Sequence, residues 1–182
     1  DGDQDLFVAN GHIIDNIGLY SDTITFEQKA ALYRNLGDGR FERLAYPEGA
    51  PLGRRYVARG AVPFDFDDDG DLDIVLAQNN GPAVLLRHAG APARHWVAVT
   101  LSGAPPNRDA VGALVTLEAG GARQVRYART GFSYLSQGDR RLHFGLGAAA
   151  AIDAIVVRWP GRRGFGESFA PVPIDRFVTL EQ

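Results

Sequence analysis

The chain has 182 residues, 45% hydrophobic and 23% charged, with a formal net charge of −3. A real core is affordable at this length, in one domain or two small ones, and no apolar run is long enough to span a bilayer. With Cys 0, disulfides, thiol chemistry and cysteine metal sites are excluded.

The 22 Gly and 10 Pro, without sustained helical periodicity, predict a turn-rich, all-β chain. Residues 1–99 carry 15 acidic and 9 basic side chains, whereas residues 100–182 carry 7 and 10. Such parts suit docking on each other or on neighbouring copies. All basic residues except Lys29 are Arg, spread along the chain without forming a stripe, which argues against nucleic-acid binding. The abrupt opening on Asp1-Gly2-Asp3, without a signal peptide, reads as a processed or excerpted product.

In chain order, the first feature is a repeat. Residues 1–10, DGDQDLFVAN, return at 69–78 as DGDLDIVLAQ, and 32–41, LYRNLGDGRF, return at 85–94 as LLRHAGAPAR. The offsets, 68 and 53, leave 15 additional residues within 11–31 of the first copy. Repeats on this scale predict propeller or solenoid blades, and fewer than two blades leave open strand edges to be covered by the rest of the chain or by a partner. Residues 11–31 read as a long loop, with a short helical turn over 26–32. A strand at 32–34 turns at Gly37-Asp38-Gly39 into Phe41, residues 46–55 are connector, and Val57 to Phe64 leads into the most charged stretch of the molecule.

That stretch is DFDDDGDLD at 65–73, six carboxylates in nine residues. Unit charges ~4 Å apart repel by ~1 kcal/mol even in water, so a compact loop here calls for a cation. Asp65, Asp67, Asp69 and Asp73 fall at loop positions 1, 3, 5 and 9, Gly70 at position 6 permits a sharp reversal, and Asp71 at position 7 offers its carbonyl. An all-oxygen, flexible, anionic cage suits Ca²⁺; Mg²⁺ requires a tighter octahedron and zinc prefers His or Cys. An EF-hand is excluded because position 12 is Leu76 rather than Glu, and the chain leaves the loop as an apolar strand over 71–77. The first repeat starts at loop position 5, so Asp1, Asp3 and Asp5 form at most a partial second site. A strand follows at 83–86, and Gly90-Ala91-Pro92 reads as the boundary between a repeat region, 1–92, and a β domain, 93–182.

The second part alternates more clearly. Val97, Val99 and Leu101 share one strand face, as do Ala113, Val115 and Leu117, then Val125 and Tyr127 after the Gly120-Gly121 turn. Leu142, Phe144 and Leu146 alternate with His143, Ile155, Val157 and Trp159 form another face, and Ile174, Arg176, Val178 and Leu180 close the chain. Such strands predict a β-sandwich or barrel. Ser133, Ser136, Asp139 and His143 lie close in sequence, but without a nucleophile elbow they read as a polar turn entering a strand. His12, His88 and His95 have no metal-ligand spacing. Among the aromatics, Trp159 continues a core face, while Tyr134 and Phe165 are candidates for ligand contact.

The motifs together resemble a known pairing. NGH at 10–12, LYRNLGDGRF and RGAVPFDFDDDGDLDI at 59–74 are similar to FG-GAP/VCBS-type repeats of integrin-like propellers. NRDAVGALVTLEAGG at 107–121, SYLSQGDRRLHFGLG at 133–147 and IVVRWPGR at 155–162 resemble the ASPIC/UnbV domain of cartilage acidic protein-like and bacterial secreted proteins. Relative to that family, the array is cut to one complete repeat, the calcium-binding EGF module is absent, and 162–166 interrupts the stretch after the Trp-Pro motif. The resemblance implies a secreted or surface-exposed, calcium-stabilised β protein with metal ligands at Asp65, Asp67, Asp69, Asp71 and Asp73. It implies no reaction. The expected function is therefore a non-enzymatic structural or adhesion component, a subunit of a larger assembly with further copies. The alternatives are a carbohydrate-binding module and an accessory domain of an enzyme whose active site lies elsewhere.

Overall fold

The computed structural model describes residues 2–90, 94–161 and 166–182. Its first part contains β1 (Leu6–Val8), β2 (Gln28–Lys29), β3 (Ala31–Asn35), β4 (Phe41–Arg43), β5 (Arg55–Tyr56), β6 (Ala58–Phe64), β7 (Asp73–Gln78) and β8 (Val84–Leu86). These form sheets in the orders β1-β3-β4, β2-β5 and β6-β7-β8. The strand pairs β1-β3 and β7-β8 reproduce the sequence repeat. Its closest echo is a hydrogen bond: Asn35 N donates to Asp5 Oδ1 at 2.8 Å, and the equivalent His88 N donates to Asp73 Oδ1 at 2.7 Å. Gly2 and its counterpart Gly70 both take positive φ, 97° and 93°.

The segment 11–31 differs from expectation. Instead of a helical turn over 26–32, the chain forms β2 and β3, and a single 3₁₀ turn lies earlier, at Ile17–Leu19. Extended pairing satisfies this backbone better than a one- or two-turn helix does, because so short a helix leaves most of its end groups unbonded. Gln28 and Lys29 pair with Tyr56 and Arg55, and Ala31 to Tyr33 pair with Val8 to Leu6. The connector at 46–55 also gains structure, a 3₁₀ turn at Pro51–Gly53 followed by β5. Small apolar groups hold this part together: Tyr56, Ala58, Ala61, Leu76 and Leu86 are buried, with Phe7 of the first repeat packed against them.

The second part contains β9 (His95–Ser102), β10 (Leu114–Ala119), β11 (Ala122–Tyr127), β12 (Leu142–Gly147), β13 (Ala154–Arg158), β14 (Glu167–Phe169) and β15 (Arg176–Glu181). They form two sheets, β11-β10-β13-β14 and β12-β9-β15. The alternation read from the sequence faces the two sheets onto one core, with Val97, Val99, Val115, Leu117, Phe144 and Val157 each 0% exposed; β11 is the exception, because Gln124 is buried there while Tyr127 faces solvent. Burying such a side chain is worth about 1.5–3 kcal/mol, so this sandwich interior is the main source of stability. Trp159 joins that core and donates its indole N–H to Glu167 Oε2 at 2.7 Å. The closing strand begins at Arg176, leaving Ile174 just outside it, and pairs with β9 in parallel, Val178 opposite Val99. Short β14, which the sequence reading lacks, caps the other sheet against β13.

Candidate metal centre

The hairpin β6–β7 carries the acidic loop at its turn. Phe64 and Asp73 are register partners, so the two strands deliver both ends of the loop to the same place. The loop then closes on its own carboxylates. Asp69 N and Gly70 N donate to the two oxygens of Asp65, at 3.2 and 2.9 Å. Phe66 N donates to Asp73 Oδ2 at 3.0 Å, while the other Asp73 oxygen receives His88 N from beyond β8. Asp65 and Asp73 are consequently buried, 5% and 2% exposed, despite their charge. Two residues supply left-handed backbone inside the turn, Asp68 at φ 58° and Gly70 at φ 93°.

Oxygens of Asp65, Asp67 and Asp73 lie within 4.8 Å of one another. Ligands on opposite sides of a hard cation bound at 2.3–2.6 Å would stand about 4.6–5.2 Å apart, so the spread fits one coordination shell. The donor set is all carboxylate. The arrangement could hold a metal ion, with these three residues as the protein's ligands. Two other predicted ligands, Asp69 and Asp71, stand outside this group of three. Asp69 Oδ1 accepts from Asp71 N at 3.0 Å, and the Asp71 carboxylate lies 3.6 Å from His88 Nδ1. Arg87 Nη2 reaches Asp67 at 2.5 Å and Asp69 at 3.9 Å, offsetting part of the loop's charge. Burial raises the Asp65 carboxyl above the ordinary carboxylate value, against the lowering effect of its two backbone N–H donors.

The loop is also held from outside by the sandwich. Gly70 packs directly onto the indole of Trp96, at the start of β9, where a Cβ would overlap the ring. Asp175 fixes that tryptophan's backbone: Trp96 N donates to Asp175 Oδ1 at 3.2 Å, and Asp175 N to Trp96 O at 2.7 Å. His143 of β12 stacks on Trp96, with ring centres 6.0 Å apart and planes at 9°, and its Nε2 lies 2.6 Å from Gly70 O. The carbonyl can only accept, so Nε2 carries the proton. Burial lowers the His143 pKa below its ordinary value, although the Gly70 hydrogen bond opposes this. Beside it, Arg141 donates to Asp68 Oδ1 at 2.5 Å, to the Asp65 carbonyl at 3.0 Å and to Asp139 at 2.7 Å. The first repeat docks in the same way, its Gly2 carbonyl accepting from Arg126 at 3.3 Å.

Residues 1–76 match the FG-GAP-like repeat model, and residues 103–182 match the ASPIC and UnbV model. The chain carries an FG-GAP-like repeat followed by an ASPIC and UnbV domain. Both are typical of extracellular or surface proteins. No helix among the described residues is long and apolar enough to cross a membrane. A search of the curated proteins finds no match to the chain.

The remaining sequence candidates are dispersed. Asp5 holds the Asn35 backbone, Asp3 lies near the Gly37 turn, and Asp1 is outside the described residues. Tyr134 is 65% exposed, in a loop with Phe132 and Leu135 at 44% and 90%, whereas Phe165 lies outside the described residues. Ser133, Ser136, Asp139 and His143 do not converge. Ser133 Oγ accepts from Ala61 N, Ser136 Oγ donates to Tyr134 O, Asp139 pairs with Arg141, and His143 serves Gly70. Arg87, Arg141, His143 and Trp96 are the participants that sequence reasoning missed. Only His143 carried a signal, as the polar residue opposite the core face of β12.

Proposed function

We propose that the chain is a non-enzymatic, calcium-stabilised structural or adhesion component of an extracellular or surface protein. Ca²⁺ bound by Asp65, Asp67 and Asp73 is its stabilising element. The convergence of those three carboxylate oxygens within 4.8 Å supports the reading most strongly. An ordered, all-oxygen anionic loop favours Ca²⁺, whose coordination tolerates irregular geometry, over Mg²⁺, which keeps most of its water. The Ser133–His143 stretch supports a structural role, since Ser133, Ser136, Asp139 and His143 are each committed to a separate contact. The edges of sheets β1-β3-β4 and β6-β7-β8 offer backbone for assembly with further copies.

A thermal melt tests this reading. At free calcium 100-fold above Kd, binding adds ~2.7 kcal/mol, which raises the melting temperature of a chain this size by roughly 5–10 °C. Identical melts in calcium and in chelator would refute it. A second reading, a carbohydrate-binding module, draws on the exposed loop bearing Phe132, Tyr134 and Leu135. Glycan-array binding lost in Tyr134→Ala would favour it, and an array without hits would remove it.

A further inference from the structure

We propose that Arg141, in the ASPIC and UnbV domain, is a positioning residue for the cation site in the FG-GAP-like repeat. The sandwich thereby sets the affinity of a loop more than 70 positions away in sequence. This rests on the calcium reading of the loop. Arg141 precedes β12 and is itself fixed on the sandwich side. Asp139 takes its Nε–H at 2.7 Å, and its guanidinium lies 4.7 Å from the Phe177 ring centre. From that anchored position it grips the loop twice, at the Asp68 carboxylate and at the carbonyl of Asp65, a ligand residue. Asp68 is the left-handed residue between Asp67 and Asp69. Holding its side chain outward against Arg141 fixes the turn that directs Asp67 toward Asp65 and Asp73. Arginine suits the task because its planar fork satisfies several fixed acceptors together, which a lysine ammonium at the end of a flexible stem does not.

Electrostatics alone predicts the opposite sign. Arg141 is a cation near a site for a cation, so deleting its charge should tighten binding if charge were its only contribution. Positioning predicts weaker binding, because groups that orient metal ligands typically contribute about 10–100-fold to affinity.

The test is calorimetric titration of CaCl₂ into the metal-free whole chain, as wild type, Arg141→Ala and Arg141→Lys, with circular dichroism confirming the fold. The expected result is weaker binding in both variants, roughly tenfold or more. The lysine variant decides the matter should the alanine variant unfold, since it keeps the charge and loses the fork. Unchanged or tighter binding in Arg141→Ala, or wild-type affinity in Arg141→Lys, overturns the positioning role while the calcium reading stands. Wild type that binds no calcium overturns both.

Discussion

Gly70→Ala tests two features of the loop with one methyl group. Gly70 has φ 93°, where a side chain meets its own backbone, and that strain costs an alanine about 1–2 kcal/mol. The new Cβ would also enter the Trp96 indole, whose ring is held by His143 and Phe177 and whose backbone is held by Asp175. Forcing a methyl into such a contact costs about 1–3 kcal/mol. The sum, about 2–5 kcal/mol, corresponds to a melting temperature lower by roughly 4–20 °C for a chain of this size. Differential scanning calorimetry on wild type, Gly70→Ala, Trp96→Ala and the double variant separates the two causes. Trp96→Ala removes the clash but leaves the backbone strain, so the double variant should lose less than the two single losses combined, by about 1–3 kcal/mol. A Gly70→Ala protein melting within a degree of wild type, or strictly additive losses, would refute the docking of loop on sandwich.

Other outcomes follow from the same contacts. Asp73→Ala removes a buried carboxylate that accepts from Phe66 N and His88 N, leaving two part-buried donors without it, and should cost about 1–3 kcal/mol in urea unfolding even without calcium. Phe144→Ala, at the centre of the sandwich, should cost about 3–5 kcal/mol by the same assay. For His143, the folded pKa is lowered below 6.5, chiefly by burial, so the unfolded chain takes up a proton that the folded one refuses. Stability should therefore fall as the pH drops through 6.5 and level off below the folded value; His143→Gln should flatten that part of the profile, measured as urea midpoints between pH 7.5 and 5. Light scattering with and without calcium checks the edge-strand assembly, for which the expected result is a species larger than the monomer.

The features legible in the sequence were those with a local period or spacing. Alternation in Leu142, Phe144 and Leu146 identified the face that β12 buries, and the positions of Asp65, Asp67 and Asp73 identified carboxylates that converge. The repeat alignment even placed Asn35 opposite His88, and the structure gives both the same hydrogen bond to an aspartate. The illegible features depend on long-range closure. Nothing near Arg141 announces Asp68 as its partner, and alternation shows that His143 faces away from the core without saying that Gly70 lies there. Spacing likewise does not show that Asp69 accepts the Asp71 amide or that the Asp71 carboxylate lies beside His88. The misread helical turn at 26–32 has the same origin, because the pairing of Gln28 with Tyr56 is supplied from across the fold.

The most direct measurement is anomalous diffraction from crystals grown in calcium. A single peak bonded at about 2.3–2.6 Å to oxygens of Asp65, Asp67 and Asp73 is the predicted result. A water network in that cage, or a peak bound elsewhere while these carboxylates contact only protein, would contradict it.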